Sequence, residues 1–87
     1  MLKGKTKSGF SFEIDDKALD DMELLEDLVA VDNDLSKLPE LLNKFLGVEQ
    51  KKKLYDHVRT KKGNVPIKKV ADLFMEILNT AGKETKN

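Results

Sequence analysis

The apolar residues of this chain change period at Asp15, and the change separates what can be a strand from what can be a helix. Before it, Phe10, Phe12 and Ile14 alternate with Ser11 and Glu13, the two-residue period of a half-buried strand. LKGKT, residues 2–6, precedes this run across Lys7-Ser8-Gly9, a turn in which Gly9 is free to take positive φ. Residues 2–14 therefore read as a hairpin. LKGKT has only Leu2 as an apolar side chain, and its lysines suit an edge strand that must not pair with strangers. Two strands alone are barely stable, so the face carrying Phe10, Phe12 and Ile14 has to rest on helices.

From Asp15 onward the spacing is helical. Asp15 or Asp16 offers a carboxylate to free backbone N–H groups and is expected to start a helix over about 17–32. Leu19, Met22, Leu25 and Val29 form its stripe, and Leu24, Leu28 and Val31 widen it, so that the helix packs on more than one neighbour. Asp32-Asn33-Asp34 ends it. Ser36-Lys37-Leu38-Pro39 opens a second helix over 38–46, with proline in the first turn, an apolar face of Leu38, Leu41, Leu42, Phe45 and Leu46, and Gly47 as its stop. A third is expected over 48–61, with Val48, Leu54, Tyr55 and Val58 as its few core residues. After Gly63-Asn64, Pro66 starts a fourth over 66–81. There Ile67, Val70, Ala71, Phe74, Ile77 and Leu78 keep helical spacing. Gly82 is expected to end this helix, leaving 83–87 as a flexible tail. The fold class is α+β, mostly α: one domain, residues 1–82, with an N-terminal hairpin packed on an array of about four helices.

The chain has 87 residues and no cysteine, so its stability comes from packing rather than from disulfides or a thiolate zinc site. No stretch approaches the roughly 20 apolar residues of a membrane span. MLKGKTKSG is basic but lacks the apolar run of a secretion signal. The expected location is the cytoplasm. Net charge is zero, yet its distribution is lopsided. Glu13 to Glu40 carries eleven acids against Lys17 and Lys37, while Glu49 to Lys69 carries eight bases against Glu49 and Asp56. Such polarity suits head-to-tail association or two unlike partners.

Catalytic and ligand-binding chemistry finds little support. Asp15, Asp16, Asp20, Asp21 and Glu23 cluster around a helix start, where the dipole favours each by roughly 0.3–1 kcal/mol. Capping plus a solvated face accounts for them, with an acidic surface for a basic partner as the alternative. Asp32-Asn33-Asp34-Leu35-Ser36 resembles the opening of a calcium loop, but Lys37 and Asn43 stand where such a loop needs glycine and a bidentate glutamate. His57 is the single histidine; Asp56, its neighbour, lies on another helix face and does not orient the ring. No phosphate-binding glycine loop or nucleophile elbow occurs. The expectation is a protein that is not an enzyme and needs no cofactor or metal. The basic residues of 51–69 make the best case for nucleic acid, through a helix-turn-helix of the third and fourth helices. However, the joining segment is long, and the fourth helix carries Asp72 and Glu76 where base-reading side chains belong. A small DNA-binding regulator is the alternative function; nucleic acid is not the expected partner.

The order of segments resembles the small tail assembly chaperones of long-tailed phages and prophages of Gram-positive bacteria. SGFSFEID, the acidic LDDMELLEDL helix and LLNKFLGVEQKKKLYDHVRTKKGNVPIKKVADLFMEIL carry the likeness. Within the last stretch LGVEQKKKLYDHVR, the Gly63-Asn64-Val65 break and the closing helix match best. The resemblance covers about residues 5–79. It implies a helper of virion morphogenesis that binds the tape measure protein, keeps its apolar helices soluble, and assists the tail tube protein to polymerise, all in the bacterial host cytoplasm. A second copy of the chain is a further candidate partner. Four helices and a hairpin in so short a chain leave apolar surface hard to cover. The excess beside basic residues points to a client surface of Lys51, Lys52, Tyr55, Val58, Arg59, Met75 and Leu78, suited to an acidic client.

Overall fold

In the computed structural model of the protein, residues 1–84 are described. Strands β1 (Leu2–Lys5) and β2 (Ser11–Ile14) form an antiparallel pair in which Leu2 faces Ile14 and Gly4 faces Phe12. Four helices follow: α1 (Met22–Asn33), α2 (Leu38–Leu46), α3 (Val48–Val58) and α4 (Ile67–Glu84). The α+β, mostly α architecture read from the sequence is the one observed. The hairpin rests on its own helices: Phe10, Phe12 and Ile14 are buried in one core with Leu42 and Leu46 of α2, Leu54 of α3, and Phe74 and Ile77 of α4. Phe45 and Phe74 meet edge to face, 5.6 Å between ring centroids, a favoured aromatic geometry.

The outer edge of β2 is closed by a side chain. The Gln50 amide accepts from the Glu13 N–H at 2.7 Å and donates to the Glu13 carbonyl at 2.6 Å and to Leu46 at 2.8 Å. It thus supplies the donor and acceptor of a missing third strand. Gln50→Ala is expected to cost roughly 1 kcal/mol and to speed amide exchange at Glu13, both read by hydrogen exchange and urea unfolding.

Three expected boundaries move, each for a local reason. The first helix does not start near residue 17. Asp15 accepts from the Lys17 N–H at 2.9 Å and holds only a 3₁₀ turn, Asp16–Ala18, and the Met1 amino group pairs with Asp16 at 2.7 Å. Asp21 then accepts from Glu23 N–H at 2.9 Å and caps α1. Both acid pairs are able to cap, and the second starts the α-helix. The third helix stops at Val58 rather than 61 because Arg59 is extended. Thr60 and Asn64 close the following turn through their backbones at 2.9 Å, with Gly63 at φ 97°, a conformation that favours glycine. The fourth helix runs through Gly82 to Glu84, because Ala81 is fully buried and keeps the stripe of Phe74 and Ile77 in register for another turn. Of the tail expected over 83–87, residues 83 and 84 are thus helical and the rest lies outside the described residues.

Candidate protein-docking surface

Helix α1 has no buried residue. Two overlapping apolar stripes run along it; both were expected to pack, and the structure packs only one of them against the core. Leu24, Leu28 and Val31 pack against the core, and Leu19 joins them from the preceding turn. Met22, Leu25 and Val29 are left out, each more than half exposed. The surface charges agree with this rotation. Lys44 of α2 reaches Asp27 at 3.0 Å and Glu23 at 3.6 Å, two acids one helical turn apart on the side of α1 facing α2. Asp27 raises the pKa of the Lys44 ammonium by hydrogen bonding and charge. Asp34 ends α1 and caps the next 3₁₀ turn, Leu35–Lys37, by accepting from the Ser36 N–H at 3.1 Å and its hydroxyl at 2.6 Å. These hydrogen bonds to Ser36 hold its carboxyl below the usual carboxylate range. The second carboxylate of the calcium-like run, Asp34, is therefore engaged in a helix junction.

Beside α1 lies a trough. One hollow of about 530 Å³, between α1, the 3₁₀ turn and α4, is lined by Val29, Leu35, Leu38, Phe74 and Met75, with Asp32 as its one charged wall. A second, about 460 Å³, shares Leu35 and Leu38 with it and continues past Pro39, Tyr55, Val65 and Ile67. The floor is core (Leu38, Val70, Phe74), whereas Val29, Leu35, Ile67 and Met75 on the walls are roughly half exposed or more. Together with Met22 and Leu25 they join six large apolar side chains, each 47 to 68% exposed, along one side of the molecule. Scattered exposed leucines mean little; a contiguous run of this kind is a mark of docking surfaces.

The residues expected to form a client surface do not come together on one face. Tyr55 and Met75 border the trough at different hollows. Val58 and Arg59 open on another hollow, with Ser8, His57, Lys69 and Glu76. Leu78 is half-buried against the core, Lys51 lies 5.6 Å from the Tyr55 ring centroid and Lys52 points into solvent. Arg59 is occupied: it bonds Asp56 at 3.1 Å and the Gly63 carbonyl at 2.8 Å. His57 is exposed, 3.3 Å from the Ser8 hydroxyl and edge-on to Phe10. Among the described residues no group of three or more acids or histidines is placed to hold a metal, and no helix is long and apolar enough to cross a membrane.

Comparison with protein-family models, curated proteins and solved structures found no match. The candidate surface thus rests on its own geometry. The sequence points to Met75 and Tyr55, but it assigns Met22, Leu25 and Val29 to packing and gives Leu35 no role. The signal for them was present: two complete helical stripes on one short helix are one more than a single packing partner needs.

Proposed function

We propose that the protein acts without catalysis, by reversible protein–protein contact, as a tail assembly chaperone of a long-tailed phage or prophage in the bacterial host cytoplasm. The resemblance of residues 5–79 supplies the role. The observation that carries the mechanism is the apolar trough with the open α1 stripe beside it. A chaperone for apolar helices has to offer such a surface while the rest of its exterior stays charged, and helix-in-groove docking uses anchors at helical spacing. The clients are the tape measure protein and, during polymerisation, the tail tube protein.

The test is co-expression with a helical tape measure fragment that precipitates when made alone. The fragment is expected to stay in the soluble fraction and to co-purify with this protein. Precipitation at the level seen without it would overturn the reading. The alternative of a small DNA-binding regulator predicts retardation of duplex DNA with steep salt dependence; the chaperone reading predicts none.

A further inference from the structure

We infer that the Met22, Leu25, Val29 stripe and the adjoining hollow receive an amphipathic helix of a partner protein whose flanks carry lysine or arginine. This identifies the chemistry of the client and rests on the chaperone reading. Met22, Leu25 and Val29 are exposed on α1 at helical spacing, and Val29 also walls the hollow that holds Leu35 and Met75. The apolar path is thus continuous from helix to hollow. Seven residues of α1 separate the ends of the stripe, roughly 10 Å, which two turns of a docked helix match.

Charge selects the occupant. On α1, at 100° per residue, Glu26 lies to one side of the stripe, and Asp32 lies close to the line of Leu25, where it also walls the hollow. Among the described residues neither has an ion-pair partner, whereas Glu23 and Asp27 on the inner side are held by Lys44. An incoming basic flank would complete these pairs and be steered to the face before contact. At the far end of the trough the positive charges are partly engaged, Lys68 with Asp72 at 3.3 Å and Lys51 over Tyr55. A second copy fits poorly. Two-fold pairing through α1 sets one acidic helix against another, since α1 carries no lysine or arginine, and beside the lysines of α3 and early α4 the large exposed apolar residues, among the described residues, are only Val48 and Ile67. An acidic client, expected from the sequence at Lys51, Lys52 and Arg59, would meet like charge here.

The experiment uses the full chain and two labelled peptides of about 20 residues, long enough to form a marginal helix. They share leucines at helical spacing and differ only in having lysine or glutamate elsewhere. Fluorescence anisotropy at about 50 mM and 300 mM salt is expected to show the lysine peptide binding at least ~10-fold more tightly than the glutamate peptide. L25S/V29S, which leaves every charge in place, is expected to weaken the lysine peptide by ~10-fold or more, and E26K/D32K to erase or reverse the preference. K51E/K52E is expected to leave the lysine peptide within ~2-fold. Equal or tighter binding of the glutamate peptide overturns the inference. So does binding that L25S/V29S does not weaken, or a dimer in sedimentation that L25S/V29S dissolves while neither peptide binds. The two readings fail separately. A tape measure fragment kept soluble equally by wild type and by L25S/V29S would sink this face and leave the chaperone. Peptides that behave as stated, with no tail protein captured, would do the reverse.

Discussion

Leu54→Ala is expected to remove roughly 3–4 kcal/mol of folding free energy, whereas Leu25→Ala changes it by no more than about 0.5 kcal/mol. Leu54 is fully enclosed in α3 and belongs to the single core that joins hairpin and helices. Truncating it leaves a void that its neighbours close only in part. A domain of this length has only about 4–13 kcal/mol in all, so the unfolding midpoint should drop by at least ~10 °C. Leu25 is more than half exposed on a helix with no buried residue; alanine there forfeits little burial and gains slightly in helix propensity. Urea unfolding followed by circular dichroism compares the two. A Leu25→Ala loss as large as that of Leu54→Ala would mean that the α1 stripe belongs to the core, and the docking surface would vanish with it.

The two leucines also mark how far the sequence is legible. Position 54 is one of few apolar residues among lysines, so its inward aim follows from composition. On α1 the pattern is degenerate. Leu25 with Met22 and Val29, and Leu24 with Leu28 and Val31, are equally good helical stripes, and periodicity alone ranks neither. What breaks the tie is tertiary: Leu24, Leu28 and Val31 meet a core built from distant elements, and Lys44 on α2 reaches Asp27 and Glu23, contacts that no local rule contains. The hairpin, the order of helices and the faces of α2 and α4 were legible because each had one apolar face and no rival. The start of α1 was not, because Asp15-Asp16 and Asp20-Asp21 are both competent caps. Nor was the passage of α4 through Gly82. A glycine there is a stop signal locally, and only the burial of Ala81 against distant residues overrides it.

That the surplus apolar surface falls on α1 has a simple cause. The molecule measures 42 × 28 × 19 Å along its principal axes, so its thin dimension accommodates about two layers of secondary structure. The hairpin with α2, α3 and α4 fills both. Helix α1 lies against α2 and the 3₁₀ turn on one flank, and nothing among the described residues covers its other side. Polar residues at Met22, Leu25 and Val29 would serve an isolated domain as well, so the fold itself does not require the apolar stripe.

Gly4→Ala is the second substitution expected to be costly, although it adds one methyl group on a partly exposed strand. Gly4 faces Phe12 across the hairpin, and the Phe12 ring lies over the backbone of Gly4. A Cβ placed there would stand 2.5 Å from Phe12 Cζ, well inside van der Waals contact. Glycine in a strand interior often marks such a close approach. Phe12 is only 3% exposed, so the ring has core neighbours and little room to retreat. Overpacking of this kind costs about 1–3 kcal/mol, offset only slightly by the stiffer unfolded chain. The added methyl also pushes on the hairpin where it packs against α4, the helix that forms one wall of the trough. Phe12→Leu, which shortens the side chain, should restore part of the loss in the Gly4→Ala background while destabilising on its own. The double-mutant cycle should therefore show coupling of at least ~0.5 kcal/mol. Additive effects would mean that ring and glycine do not touch. The hairpin would then sit on the helices in some other way, and the wall that Phe74 and Met75 present would have to be placed again.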